Sequence, residues 1–431
     1  MSKSFRPWKV DEVWLLPASI QDFVPPGHPA HLIRDIVREE LDLSAILSGY
    51  EELRGYPPYH PVMMVALLFY AYCRGIYSSR QIARGCEERL DFQAVTALNR
   101  PDFRTISDFR KRHLAALADL FIQVLKLCQC AELVELGHVA LDGTKVQANA
   151  SKHKAMSYGR MQEAEDKLAA EVAQWLARAQ AADAEEDSEH GPDRRGDEPP
   201  DWMKDKQRRL ERIRAAKAEL EAEAKAAAEA KPAPRYHGGR KPKHPPGTPK
   251  PGAQRNFTDP ESRIMKGKDG FIQAYNAQIA VDHCHQIILA HRLTNNAADQ
   301  DGLVPLVDGI KANTGRKPAE LSGDAGFCSE TNLAALAARN IPSYIATGRA
   351  KHPEGGEAQR HGPLVTAMRR KLRRARRRSR YRLRKQIVEP VFGQIKQARG
   401  FRRFLLRGID KVAHEWALIC IAHNLTKLVA A

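Results

Sequence analysis

The sequence predicts a mixed α/β chain with an all-helical N-terminal part and a helical insertion. Apolar residues recur at helical spacing as far as about residue 135. Beyond that, short apolar strands alternate with helical tracts. Between the first strand and the rest lies a block of about a hundred residues rich in Ala, Glu, Lys and Arg, ending in a Pro/Gly/Lys-rich tract.

In the first part, HPAHLIRDIVREEL (28–41) and HPVMMVALLFYAYCRG (60–75) carry the helical pattern. SSRQIARGCEERLDFQAVTAL and RPDFRTISDFRKRHLAALADLFIQVLKLC continue it. Thr105 or Ser107 is the expected cap of a helix displaying Arg110, Lys111 and Arg112. Short helices with a basic face fit a helix-turn-helix-like DNA-binding module, and equally an ordinary bundle with a solvated basic face; the segment alone favours the bundle.

At HVALDGTKVQA (138–148) the pattern becomes a short apolar strand, expected to end at Asp142-Gly143. Residues 158–186 and 202–231 suit two long helices outside the sheet, separated by the polar breaker DAEEDSEHGPDRRGDEPP. The tract that follows, to residue 255, is expected to lack regular structure. GFIQAYNAQIAVD (270–282) alternates: Phe271, Tyr275, Ile279 and Val281 on one parity, Asn276, Gln278 and Asp282 on the other. It reads as one arm of a hairpin with QIILAHRLT. A helix, the strand AELSGDAGF, a helix, the strand IPSYIATG, an arginine-rich stretch and two last helices follow. The expected division is 1–135 helical, 136–150 with 256–431 as the α/β domain, and 151–255 inserted.

A net charge of +17 favours a polyanionic partner, nucleic acid first. The cysteines are odd in number with no CxxC pair, which suits free thiols in a reducing compartment. The start lacks the apolar core of a signal peptide, and Val62–Ala71 is too short to span a bilayer, so the expectation is a soluble cytoplasmic chain without a membrane partner.

Three acids draw the chemistry. Asp142 and Asp324 each follow an apolar strand and stand beside glycines, where open sheets place ligands; a turn is the ordinary reading of each alone. Glu389 lies among Ile387, Val388, Val391 and Phe392, so its surroundings are expected to be partly buried, with Pro390 opening or kinking a helical turn. If the three converge, they form a hard oxygen site for Mg²⁺, and two ions ~3.5–4 Å apart would serve phosphodiester displacement. In RRKLRRARRRSRYRLRK (369–385) twelve residues are Lys or Arg, enough to neutralise a DNA backbone beside such a site, chiefly through Arg373, Arg374, Arg376, Arg377 and Arg378. Tyr381 within it is a candidate to stack or cap, although a lone tyrosine more often serves packing. His283-Cys284-His285 has no fourth ligand at zinc spacing and reads as structural. Asn276 and Gln278 read as sheet-surface polar groups, or as groups supporting the acids.

VALDGTKVQANAS, KGKDGFIQAYNAQIAVD, LSGDAGF and YRLRKQIVEPVFGQIK together resemble DDE-type transposases of bacterial insertion sequences. The first 135 residues resemble that group's N-terminal helical domain, and only 151–255 falls outside the likeness. The resemblance implies a ribonuclease-H-like catalytic domain, with Asp142 on its first strand, Asp324 after its fourth and Glu389 on a late helix as catalytic and metal-binding acids. It implies Mg²⁺, with Mn²⁺ able to substitute. It also implies double-stranded DNA partners, both element ends and target, held by a homodimer or larger assembly. Tyr381, Arg384 and Lys396 resemble the family's tyrosine and basic residue before the Glu and its lysine seven after. The expected spacing puts the basic residue four before the Glu, where Lys385 stands; Arg384 is five before, so the DNA contact is open between the two. A non-enzymatic regulator derived from a transposase, or a nuclease of the same fold, is the alternative.

Overall fold

The computed structural model describes residues 19–50, 58–190, 201–229, 245–267, 270–348, 362–375 and 379–431. The described residues of the N-terminal part form helices: α1 (Pro29–Asp35), α2 (Ser44–Leu47), α3 (Pro61–Cys73), α4 (Ser79–Glu88), α5 (Leu90–Thr96), α6 (Phe103–Arg112) and α7 (Leu114–Cys130). Proline opens α1 and α3, where its missing N–H is no loss, and the preceding His28 and His60 accept from the first free backbone N–H groups through Nδ1. Almost every residue of α3 from Met64 to Tyr72 is buried, because α1, α5 and the last helix, α14 (Ile409–Ala430), pack around it. Through α14 the N-terminal helices and the sheet share one continuous core.

Two local expectations fail in α6. Its cap is Asp102, whose carboxylate accepts from the Thr105 N–H at 3.1 Å, rather than Thr105 or Ser107. Arg110 is not displayed: its guanidinium is buried and donates to the Tyr72 hydroxyl (3.1 Å) and the Tyr77 carbonyl (2.9 Å). Lys111 is exposed. Arg112 is also exposed but donates to the Gly49 carbonyl and lies over the Tyr50 ring.

Among the described residues the main sheet has six strands. At its centre is β1 (His138–Gln147), with β5 (Gly270–Asp282) antiparallel on one edge and β7 (Glu320–Gly323) parallel on the other; β8 (Ser343–Ile345) follows parallel to β7. The far edge of β5 is shared by β4 (Arg263–Gly267) and β6 (Ile288–Thr294), both antiparallel. Three helices cover the sheet: α10 (Leu303–Thr314) packs on β5 and β6, α13 (Arg384–Gly393) on β1 and β5, and α14 on β6. The alternation of 270–282 holds as a strand, but its polar parity does not face solvent. Asn276, Gln278 and Asp282 are fully buried, because both faces of β5 are covered.

The inserted block forms α8 (Tyr158–His190) and α9 (Asp201–Glu229), packed on each other over a small core of Met161, Leu168, Leu210, Ile213, Ala216 and Leu220, separate from the main one. Its helices therefore extend into the polar breaker as far as His190. A ladder between β2 (Ala155–Ser157) and β3 (Gln254–Asn256) closes its base, so the tract expected to lack regular structure ends in a strand. Arg255 pairs with Glu219 and Glu223 of α9. Residues 230–244 of that tract lie outside the described residues. All seven cysteines are free thiols. Among the described residues no single helix is long and apolar enough to cross a membrane.

Glu415 of α14 is buried, and its carboxylate accepts from the N–H groups of Leu405 (2.9 Å) and Leu406 (2.9 Å). It thereby pins the loop whose Phe404 N–H reaches the Gln147 carbonyl at the end of β1 (2.9 Å). Burial pushes the Glu415 carboxyl up to about 7, against the lowering by those N–H donors. A carboxyl raised in the folded state adds stability that is fully present below its unfolded value and is lost as pH rises through about 7. Melting curves from pH 5 to 8 should therefore fall more for the parent than for Glu415→Gln; parallel profiles would contradict this assignment.

Candidate active site

Strand register brings the first two acids together. The last parallel pair of β1 and β7 is Leu141↔Gly323, so Asp142 and Asp324 are the next residues on neighbouring strands, spaced ~4.8 Å. Asp324 ends its strand as expected and caps a 3-10 turn (Ala325–Phe327), its Oδ1 accepting from Gly326 N–H at 2.9 Å. Asp142 does not end its strand. β1 continues to Gln147 because β5 stays paired with it to Ala274; what ends at Asp142 is the pairing with β7.

The Asp142 carboxylate is mostly buried. Oδ1 accepts from the Gly143 N–H (2.9 Å) and Oδ2 from Arg384 Nη1 (2.7 Å). Burial pushes its pKa up to about 6; the Arg384 guanidinium works against that, and the like charge of Asp324 adds to it. Asp324 is also raised, by burial first and then by the charge of Asp299.

Glu389 comes from α13. Its neighbours Ile387, Val388, Val391 and Phe392 are buried, but its own side chain is 47% exposed and accepts from Arg384 Nη2 at 3.3 Å. Pro390 lies inside the helix rather than opening a turn. The carbonyl it cannot serve, that of Gln386, accepts instead from Gln286 Nε2 at 3.0 Å. Arg384 thus stands between Asp142 and Glu389. Among the described residues no three His, Cys, Asp or Glu side chains converge closely enough to hold a metal ion, so the expected closed cluster of acids is replaced by two acids held on one guanidinium.

The remaining candidates surround this centre. Lys385 points to solvent, whereas Arg384 faces the acids. Lys396 Nζ donates to Thr144 Oγ1 (2.6 Å) and to the Lys145 carbonyl (2.9 Å), and burial lowers its pKa to about 8. Tyr381 is half-buried in the turn before α13. Arg373 and Arg374 are exposed in the last turn of α12 (Pro363–Ala375), while Arg376, Arg377 and Arg378 lie outside the described residues.

Sequence reasoning missed Asp299. Its Oδ1 accepts from Asn276 Nδ2 (2.6 Å), Gln278 Nε2 (3.1 Å) and Lys145 Nζ (3.3 Å). It also explains a glycine: a Cβ on Gly143 would stand 2.5 Å from that oxygen, so no other residue fits after Asp142 without displacing Asp299. The only sequence signal was that glycine, which read as a turn. The HCH tract makes no site: the Cys284 N–H donates to Asp282 and the thiol to Glu135.

Residues 18–112 match the model of a transposase domain (DUF772), and residues 242–425 match the model of the transposase DDE domain. The chain belongs to the DDE transposases. Of the three candidate acids, Asp324 and Glu389 lie inside the DDE-domain match, and Asp142 pairs with β5, which the match includes. No curated protein and no solved structure matches the chain.

Proposed function

We propose that this transposase cuts DNA at the ends of its element and joins the freed 3′ ends to target DNA, with Asp142, Asp324 and Glu389 as its acids on a ribonuclease-H-like domain. The observation that carries this is the guanidinium of Arg384 held by Asp142 and Glu389 beside Asp324. A cation already sits among carboxylates drawn from two adjacent strands and a late helix. The sheet, with β6, β5 and β1 antiparallel and β7 and β8 added in parallel, supports the ribonuclease-H-like reading.

The donor set is all carboxylate oxygen, which fits Mg²⁺ or Mn²⁺ once Arg384 withdraws. Bound there, one or two such ions would supply charge stabilisation to the attacking and leaving oxygens of phosphodiester displacement. The chain's own residues do the rest. Asp142 and Asp324 are fixed by backbone N–H groups of Gly143 and Gly326 and so present a rigid pair. Glu389, half-exposed, closes the site from its helix. Arg384, released from the acids, turns to a phosphate, and Lys396 and the exposed Arg373 and Arg374 hold the backbone on either side. In cleavage, water attacks phosphorus and the P–O3′ bond breaks, the 3′ oxygen leaving as a hydroxyl. In joining, that hydroxyl attacks a target phosphorus, the target's own P–O3′ bond breaks, and the target 3′ oxygen leaves as a hydroxyl, taking up the proton the attacking hydroxyl gives up. Two ends must be held at once, which calls for a homodimer or larger assembly on DNA.

Incubating the full chain with DNA ending in candidate inverted repeats, a target plasmid and Mg²⁺ should yield joined products. Cleavage without joining would make it a nuclease, and binding without cleavage a regulator. The basic run should act through charge. Neutralising Arg373, Arg374, Arg376, Arg377 and Arg378 should weaken binding to every DNA. The slope of log affinity against log salt should shrink by about 0.9 for every phosphate that the chain no longer neutralises. An unchanged slope would mean that the run does not touch DNA.

A further inference from the structure

We infer that Asp299 is a fourth carboxylate of the active site and shares a divalent cation with Asp324, over Gly143 and Gly326. This rests on the proposed metal-dependent function and adds a ligand to it. Asp299 lies on the loop between β6 and α10, where neither family motif nor strand end marks it.

Three donors converge on one of its oxygens. Asn276 Nδ2, Gln278 Nε2 and Lys145 Nζ all reach Oδ1, from two different strands, and leave Oδ2 without a donor among the described residues. That oxygen lies beside Gly326, in the turn that Asp324 caps. A Cβ on Gly326 would stand 3.0 Å from Asp299 Oδ2 and 3.1 Å from Asp324 Oδ1, so the two oxygens flank one point and lie no more than about 6 Å apart. A divalent cation with metal–oxygen distances of about 2.1–2.5 Å holds two carboxylate oxygens about 3–5 Å apart, and a side-chain movement or one bridging water closes the difference.

The amides that hold Asp299 point to the same ligand. Asn276 and Gln278 are fully buried, yet Asn276 Oδ1 and Gln278 Oε1 have no hydrogen-bond partner. A buried acceptor without a partner is destabilising, and two are tolerated here because both amides are turned to fix the carboxylate. Asn276 Oδ1 faces the space over Gly143, 3.1 Å from where a Cβ would lie and beside Asp299 Oδ1. It is the acceptor that a hydrated cation in that space would satisfy. Gly302 contributes in the same way: a Cβ there would collide with Gln278 Oε1. Three glycines thus make room for one carboxylate and its two amides.

Asp299→Asn separates the cation role from a purely structural one. The amide oxygen can keep all three donors while its nitrogen replaces the free Oδ2. Mn²⁺ binding to the full chain without DNA, followed by the paramagnetic resonance of free Mn²⁺, should weaken at least about tenfold, with a melting temperature near the parent's. If that variant folds poorly, Gly326→Ala tests the same seat, because its φ is ordinary and its Cβ would fill the point between the two carboxylates. Parent-like Mn²⁺ affinity in either folded variant overturns the proposal. Asp142→Asn, run in parallel, assigns the failure. If it loses Mn²⁺ while the other two variants keep it, the three acids stand and Asp299 is structural. If it too binds as the parent does, or the parent takes up no Mn²⁺ at millimolar concentration, the metal reading falls and this one with it.

Discussion

Asp142→Asn is expected to slow Mg²⁺-dependent DNA cleavage by at least about a thousandfold while leaving DNA binding in place. The substitution keeps the shape of the side chain and an oxygen for the Gly143 N–H, so the strand is not disturbed. What it removes is one negative charge from a mostly buried group. Binding survives because phosphate contacts made elsewhere supply most of the affinity, and it can tighten slightly, since a bare carboxylate repels phosphate. Stability should respond with a definite sign. Asp142 is raised to about 6, so the parent gains stability below the unfolded carboxyl range and loses it as pH rises to about 6. The asparagine variant has no such loss, and in chelator its melting temperature should gain on the parent's between pH 4 and 7. Asp324→Asn should show the same separation of cleavage from binding. Rates on end-labelled DNA beside gel-shift titrations check both; substantial remaining Mg²⁺-dependent cleavage in either variant would sink the assignment of that acid.

Arg384→Ala should give the second large effect. It leaves the mostly buried Asp142 without a counter-ion; both side chains are about one-seventh exposed, at 13% and 15%. Breaking a fully buried pair costs ~3–5 kcal/mol, and some access to water, with the option of protonating Asp142, brings this nearer to ~2 kcal/mol. In chelator the variant should melt several degrees below the parent. Mg²⁺ should then recover more stability than it adds to the parent, because the ion no longer competes with a resident guanidinium. DNA cleavage should still be slow, since the guanidinium that would meet a phosphate is gone. Equal melting in chelator and an equal Mg²⁺ response would show that Arg384 does not hold the place of a cation.

Much of this site was legible in the chain, and the misses share a cause. Asp142 and Asp324 stood out because each follows an apolar strand beside glycines, and strand neighbours are set by local pattern. Glu389 was picked out by its apolar neighbours, which are buried as expected, while its own side chain is about half-exposed. Ile387, Val388, Val391 and Phe392 form one helical stripe, and Glu389, one step of about 100° beyond Val388, projects outside it. Asp299 was invisible, because the residues that define it, Lys145, Asn276 and Gln278, arrive from β1 and β5 across more than a hundred residues in one case. Arg110 failed likewise: helical spacing put it with Lys111 and Arg112, but Tyr72 and Tyr77 from a neighbouring segment enclose it. Periodicity gives the face an element turns inward; it does not say which polar group on that face finds a distant partner. The polar parity of β5 is the same case, a surface by pattern that tertiary packing turned into a buried network.

The central claim is that Asp142, Asp324 and Glu389 act as one metal-dependent site. Its most direct test is the cleavage rate of Asp142→Asn, Glu389→Gln and their double mutant on end-bearing DNA, with Mg²⁺ and with chelator, beside the parent. The parent should cut only with Mg²⁺, leaving 3′ hydroxyls. The single variants should fall together, and the double should be no slower than the worse single, because one broken site is already inactive. Cleavage by the parent in chelator, or losses in the double mutant that multiply those of the singles, would contradict the account.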